Sequence, residues 1–373
     1  MPESKHSGPE MVPHGTLDFG ELAEWGYGPT DLVVFSSNIN PYGPPPSVVQ
    51  AVTKSIDAHT LASYPDRLSR ELRQALAAHH DVPPEAILVG NGTADIMWLL
   101  AAVLLRGKSV AVLSPTFGEY ANAAQVVDVE VTAISIPGWR LNDDGTFAPD
   151  DEQPVSESFA TTMRALATLA PDIVFVCNPN SPTGEHWTQE EMKSMMASAP
   201  DALWIVDEAY AAFTPNPWSA TRWSLDRNVV VLHSMTKDFS LGGLRLGYVV
   251  ARPSIVAELA DSQPPWNVNT LAQVAGLACM RELAWRKETM ARLREEMTRL
   301  RDGLARLGYA TRPTATNYVL APVPDPRSLR HQLLRRRIVV RDCTSFGLPT
   351  FIRLATQRPE DNEKLLEALA ELG

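Results

Sequence analysis

Cysteine is scarce: Cys177, Cys279 and Cys343 are the three in 373 residues, with no CxxC pair and no Cys/His spacing. An odd, scattered set argues against a disulfide framework and a zinc site, and it suits a reducing compartment. Long apolar runs are missing too. The longest, Ile96 to Leu105, is 10 residues, about half of a membrane span. The polar start MPESKHSGPE lacks the apolar segment of a signal peptide. The expectation is a cytoplasmic protein with no membrane partner. Basic excess is absent as well, since 33 Lys and Arg stand against 44 Asp and Glu for a formal net charge of −11. Nucleic-acid binding needs a basic footprint, so that class is set aside. A small anionic ligand is not, because a few arginines can set the field inside a cleft.

What is present is an ordinary globular composition, 45% apolar and 21% charged. The length suits one large domain plus a smaller one. Residues 1–40 show little periodicity and read as an N-terminal arm that contributes to the small domain and the active site. The stretch Pro41-Tyr42-Gly43-Pro44-Pro45-Pro46 can continue neither a helix nor a central strand. It opens a large domain over 41–255. There, apolar runs at Ile87–Val89, Val110–Leu113, Ile173–Cys177, Leu203–Val206, Val229–Leu232 and Leu246–Val250 alternate with helical patterns such as Arg67–His79 and Asp95–Leu105. Short runs rich in Val and Ile suit strands buried on both faces of a mostly parallel sheet flanked by helices, an α/β architecture. Residues 256–373 read as a smaller α+β domain. It comprises a long amphipathic helix over 281–307, strand-like runs at Tyr318–Ala321, Ile338–Arg341 and Phe351–Leu354, and a closing helix Pro359–Leu372.

In open α/β sheets ligands sit beyond the carboxyl ends of the strands. Three such segments carry chemistry. After Ile87–Val89 comes Gly90-Asn91-Gly92-Thr93-Ala94-Asp95; after Leu203–Val206 comes Asp207-Glu208-Ala209-Tyr210; after Val229–Leu232 comes Ser234-Met235-Thr236-Lys237, then Arg245. Each alone has a bland explanation: a solvated lysine, a helix cap, a turn. Together they answer one problem. A helix N-terminus at Gly92-Thr93-Ala94 offers N–H groups and a positive dipole end to a phosphate. Ser234, Thr236 and Arg245 add hydroxyls and a guanidinium for the same dianion. A deprotonated Lys237 can form an imine with an aldehyde, and Asp207 can hold a pyridine nitrogen in its protonated form. Pyridoxal 5′-phosphate (PLP) needs that combination.

On these motifs the chain resembles the fold-type I PLP enzymes of the class I/II aminotransferase group, from about His14 to the C-terminus. The resemblance implies roles residue by residue. Lys237 would be the catalytic Schiff-base lysine, Arg245 the phosphate-binding arginine, and Asp207 and Tyr210 the partners of the pyridine nitrogen and the phenolic oxygen. Phe117 would stack on the ring. Tyr64 would reach the phosphate of a neighbouring subunit, which implies a homodimer with shared active sites. One departure stands out. Where the family has Asn-Pro-Thr-Gly, this chain reads Asn178-Pro179-Asn180-Ser181-Pro182-Thr183-Gly184. Either Ser181 or Asn180 could then bond the phenolic oxygen.

Within the group the sequence looks closest to the threonine-phosphate decarboxylases and next to the histidinol-phosphate aminotransferases. The features are His14-Gly15, the segment Phe35-Ser36-Ser37-Asn38-Ile39-Asn40-Pro41-Tyr42-Gly43, and Pro265-Trp266-Asn267-Val268-Asn269. By resemblance His14, Gly15, Asn38, Arg341 and Arg353 contact a small anionic amino-acid substrate, two arginines suiting a carboxylate and a phosphate. The expectation is decarboxylation of O-phospho-L-threonine or a similar amino acid. Transamination of the histidinol-phosphate type is the alternative, with a lyase, cyclase or oxidase on an unphosphorylated amino acid beyond it. No metal is expected.

Overall fold

All six apolar runs form strands in the computed structural model, which describes Leu17 and residues 19–373; His14 and Gly15 lie outside the described residues. The large sheet has seven strands: β1 (Ile87–Gly90), β2 (Val110–Ser114), β3 (Val131–Ser135), β4 (Ile173–Cys177), β5 (Leu203–Asp207), β6 (Val229–Ser234) and β7 (Gly247–Val250). Their order is β1-β7-β6-β5-β4-β2-β3. All neighbours run parallel except β7, which is antiparallel to both β1 and β6. Alternate residues go to opposite faces. Phe175 and Ile205 enter one core cluster, whereas Val174, Val176, Trp204 and Val206 enter the other. Both faces are therefore covered, which is why these strands read as continuous apolar runs. The sheet strand absent from the sequence expectations, β3, lies at one edge of the sheet. Only Ile134 of its five residues is buried, so its sequence carries too little apolar signal.

The register sets the site. Cys177 pairs with Asp207, Asp207 with Leu232, and Gly247 with both Ser234 and Gly90. The carboxyl ends of β1, β4, β5 and β6 thus fall side by side. The helical pattern at Asp95–Leu105 is a helix over Thr93–Leu100 that widens into a π-helical segment, Ala101–Leu105.

Helices Pro253–Ser262 and Thr270–Cys279 bury Val256, Leu259, Ala272 and Ala275 in the clusters of the large sheet. The helix Leu283–Arg306 packs Leu283 and Trp285 against the large unit and turns Met297, Leu300 and Leu304 into the core of a smaller one, at helical spacing. Its strands are β8 (Tyr318–Pro322), β9 (Ile338–Val339), β10 (Arg341–Asp342) and β11 (Phe351–Ala355), with β11 antiparallel between β8 and β10. The helix Pro359–Leu372 closes it. Val33–Val34 pairs in parallel with β9, and Phe35 is fully buried in the same core. The segment after residue 33 thereby ties the smaller unit to the edge of the site. No helix among the described residues is long and apolar enough to cross a membrane, and these residues hold no metal-ligating cluster.

Candidate active site

The strand ends open into a cavity of about 580 Å³. Asp207 and Ser234 line it from the ends of β5 and β6, Thr236 and Lys237 from the turn after β6, Thr93 and Ala94 from the helix after β1, and Phe117 from the turn after β2. The smaller unit adds Arg341 and Arg353, and the segment after Phe35 adds Ser36 to Ile39. Four cations (Lys237, Arg245, Arg341, Arg353) face two acids (Asp207, Glu119), so an acidic chain keeps a positive cavity.

At its floor the Asp207 carboxylate is 4% exposed. Its Oδ1 accepts the backbone N–H of Ala209 at 2.9 Å, and its Oδ2 accepts the Tyr120 hydroxyl at 2.8 Å. Burial pushes this carboxyl above its usual range, and the two donors and Lys237 pull it back. The Lys237 ammonium stands 5.9 Å from the Tyr210 ring centroid. Asn38 Nδ2 donates to the Tyr210 hydroxyl at 3.2 Å, fixing that phenol from the side of the arm.

The phosphate end is built on Gly92. Its φ is +86°, and a Cβ there would lie 2.6 Å from a guanidinium nitrogen of Arg245, so only glycine lets that side chain lie across the turn. The helix Thr93–Leu100 starts there with no side-chain cap, which leaves its first N–H groups directed outward. Arg245 itself has φ +59° and donates to the Gly242 carbonyl at 3.2 Å.

Arg341 and Arg353 are register partners on β10 and β11. Arg353 is 6% exposed; its Nη1 donates to Ser181 Oγ at 3.1 Å and its Nη2 to the Ser36 carbonyl at 2.9 Å. Arg341 donates to Ser345 Oγ at 2.7 Å. Burial and the neighbouring Arg353 push its guanidinium down to about 10, which still leaves it charged at neutral pH. Phe346 lies under both, 5.0 Å from Arg341 and 5.8 Å from Arg353.

Three of the described candidates do not line the cavity: Gly92, which forms the turn at its phosphate end, Asn180 and Tyr64. Asn180 is fully buried within its own loop. Its Oδ1 accepts from Thr116 at 2.8 Å, and its Nδ2 donates to the Pro115 carbonyl at 2.8 Å and to Thr183 at 2.7 Å. Of the pair left open by the sequence, Ser181 is the one that faces the cavity. Tyr64 is 78% exposed, stacks on Trp266 at 4.4 Å and does not line the cavity. Residues the motif reading did not single out include Glu119, Tyr120 and Phe346. Tyr120 lies three positions past Phe117, on the helix Glu119–Val126, and that spacing was its only available signal.

Beside the Ser181 loop, Glu185 accepts from Trp139 Nε1 at 2.8 Å, while its Oε2 is buried without a partner. Burial pushes the carboxyl up to about 7. The folded chain then holds this proton more tightly than the unfolded chain, so stability falls as pH rises from about 4.5 to about 7. Glu185→Gln keeps an acceptor for Trp139 and removes that loss. The expected gain at pH 8 is on the order of 1–3 kcal/mol, read as a higher Tm by scanning calorimetry. No comparable gain is expected at pH 4.5.

The model of the aminotransferase class I and II family matches residues 30–369, and the chain belongs to that family. A histidinol-phosphate aminotransferase of Symbiobacterium thermophilum is 34% identical over 349 residues, covering 92% of this chain and 91% of that relative. A threonine-phosphate decarboxylase of Salmonella typhimurium is 33% identical over 358 residues, covering 92% of each chain. Among solved structures, the histidinol-phosphate aminotransferase of Clostridium acetobutylicum superposes with a TM-score of 0.79 at 26% identity, covering 91% of this chain and 99% of that one.

The chain is a PLP-dependent enzyme of fold type I. The residues present fit the cofactor: the Gly92 turn and Arg245 would hold its phosphate, the buried Asp207 its ring nitrogen, Tyr210 and Ser181 its phenolic oxygen, and Lys237 its aldehyde. Bound there, PLP acts as an electron sink for the substrate carbon that bears the amine.

Proposed function

We propose that this enzyme transfers the amino group of a small phosphate-bearing amine, of the kind named for its histidinol-phosphate aminotransferase relatives, to a 2-oxo acid. Lys237 anchors the cofactor and then moves a proton at the substrate carbon; Asp207 keeps the ring nitrogen protonated; Asn38 and Ser181 steady the phenolic edge. The observation that carries the reading is the guanidinium pair Arg341 and Arg353, in register and facing the cavity that holds Lys237. Two forked cations lining the same cavity as an amine-handling lysine suit a phosphate in one half-reaction and a carboxylate in the other. The Symbiobacterium relative supports amino transfer.

Decarboxylation of O-phospho-L-threonine is the second reading. It is favoured by the segment Phe35–Gly43, which places Ser36 on Arg353 and Asn38 on Tyr210, and by the Salmonella relative. The two part at one point. If the arginines hold the substrate with its C–H bond perpendicular to the ring, Lys237 removes that proton. If the carboxylate stands there instead, CO₂ leaves. The same reading has a second copy of the chain complete the site, its exposed Tyr64 reaching the phosphate end.

The test mixes holoenzyme with histidinol phosphate, and separately with O-phospho-L-threonine, without any 2-oxo acid. The expected result is stoichiometric conversion of the cofactor to its pyridoxamine form with the first, then turnover once 2-oxoglutarate is added. Catalytic CO₂ release from the second would replace the proposal with the decarboxylase reading.

A further inference from the structure

Tyr120 is fully buried, and none of the cofactor-holding roles assigned above uses it. Its hydroxyl donates to Asp207 Oδ2 at 2.8 Å, with the Cys177 thiol beside it. Its ring stacks on Phe175 of β4 at 5.2 Å and 17°, and meets Phe117 edge-on at 5.9 Å and 89°. One side chain therefore touches both halves of the ring site: the carboxylate at one edge and the aromatic group that lies over one face.

A core tyrosine with a satisfied hydroxyl would need only some acceptor. This one takes the single carboxylate that lines the floor of the cavity, and takes it on the oxygen that the Ala209 N–H leaves free. With one donor on each oxygen the carboxylate cannot rotate, and its remaining lone pairs point in fixed directions. We propose that Tyr120 is a positioning residue for the cofactor, its hydroxyl aiming Asp207 at the ring nitrogen and its ring holding Phe117 against the ring face. The inference rests on PLP being held through Asp207, and it adds the group that aims that carboxylate.

The experiment compares Tyr120→Phe, which keeps both ring contacts, with the wild type. The apo forms of each are titrated with PLP and with the deaza analogue in which the ring nitrogen is replaced by C–H, followed by quenching of tryptophan fluorescence. A hydrogen bond to a charged group sets the scale. The Kd for PLP is expected to rise about tenfold or more in the variant, whereas the Kd for the deaza analogue, which makes no use of Asp207, changes less than about twofold. Equal losses for the two ligands would show a merely structural tyrosine and overturn the role, as would an unchanged Kd for PLP. Failure of the wild type to bind PLP at all would overturn the cofactor's place on Asp207 and the role together.

Discussion

Lys237→Ala is expected to lower turnover by about four orders of magnitude or more and to abolish the visible absorbance of the bound cofactor. The size follows from two functions meeting on one atom. On the proposed assignment the amine would anchor the cofactor covalently and, as the cavity's one lysine, would also move the proton at the substrate carbon. General acid–base catalysis alone contributes about 10²–10⁴-fold, and losses of a nucleophile that also organises the site reach about 10⁶. Lys237→Arg should fail to rescue, because a guanidinium stays protonated at any working pH. The neighbouring cations Arg245, Arg341 and Arg353 cannot replace it for the same reason. Steady-state kinetics and a spectrum of each variant, with far-UV circular dichroism to confirm the fold, check this. A Lys237→Ala enzyme within tenfold of wild type would contradict it.

Asp207→Asn is expected to cut kcat by about 10²–10³, the scale for removing one preorganised electrostatic partner, while leaving the fold intact or slightly stabilised. The two halves have one cause. Asp207 is buried at the end of β5, where burial pushes its carboxyl up and the Ala209 N–H, the Tyr120 hydroxyl and Lys237 offset this in part. A buried charge is costly to the apo fold, and an amide of the same shape relieves that cost. The amide cannot stabilise a protonated ring nitrogen, so the same change weakens the electron sink. Apo-enzyme Tm and holo-enzyme kcat should therefore move in opposite directions. A variant that lost both together would mean that the carboxylate serves packing.

Much of the site was readable because its residues follow apolar strands. The runs ending at Val89, Val206 and Leu232 are buried on both faces, so their sequences are unambiguous and the residues just beyond them fall at one sheet edge. The arginine pair was readable by resemblance, whereas its register, Arg341 opposite Arg353, was not, since pairing between strands ten residues apart depends on the whole small core. Tyr120 escaped because a buried tyrosine on a helix reads as core, and only the fold brings it to Asp207. Asn180 misled in the opposite way. A polar residue beside the expected asparagine position looks available, yet Thr116, Pro115 and Thr183 consume its amide. The edge strand Val131–Ser135 and the placement of helices 253–279 on the large sheet were lost to weak periodicity and to long-range packing.

The most direct test of the cofactor's place in this chain is borohydride reduction of the purified holoenzyme, followed by proteolysis and mass spectrometry of the peptides. The expected result is a phosphopyridoxyl group on Lys237 and on no other lysine. Label on a different lysine, or no label in a protein saturated with PLP, would contradict the assignment of this cavity as the active site.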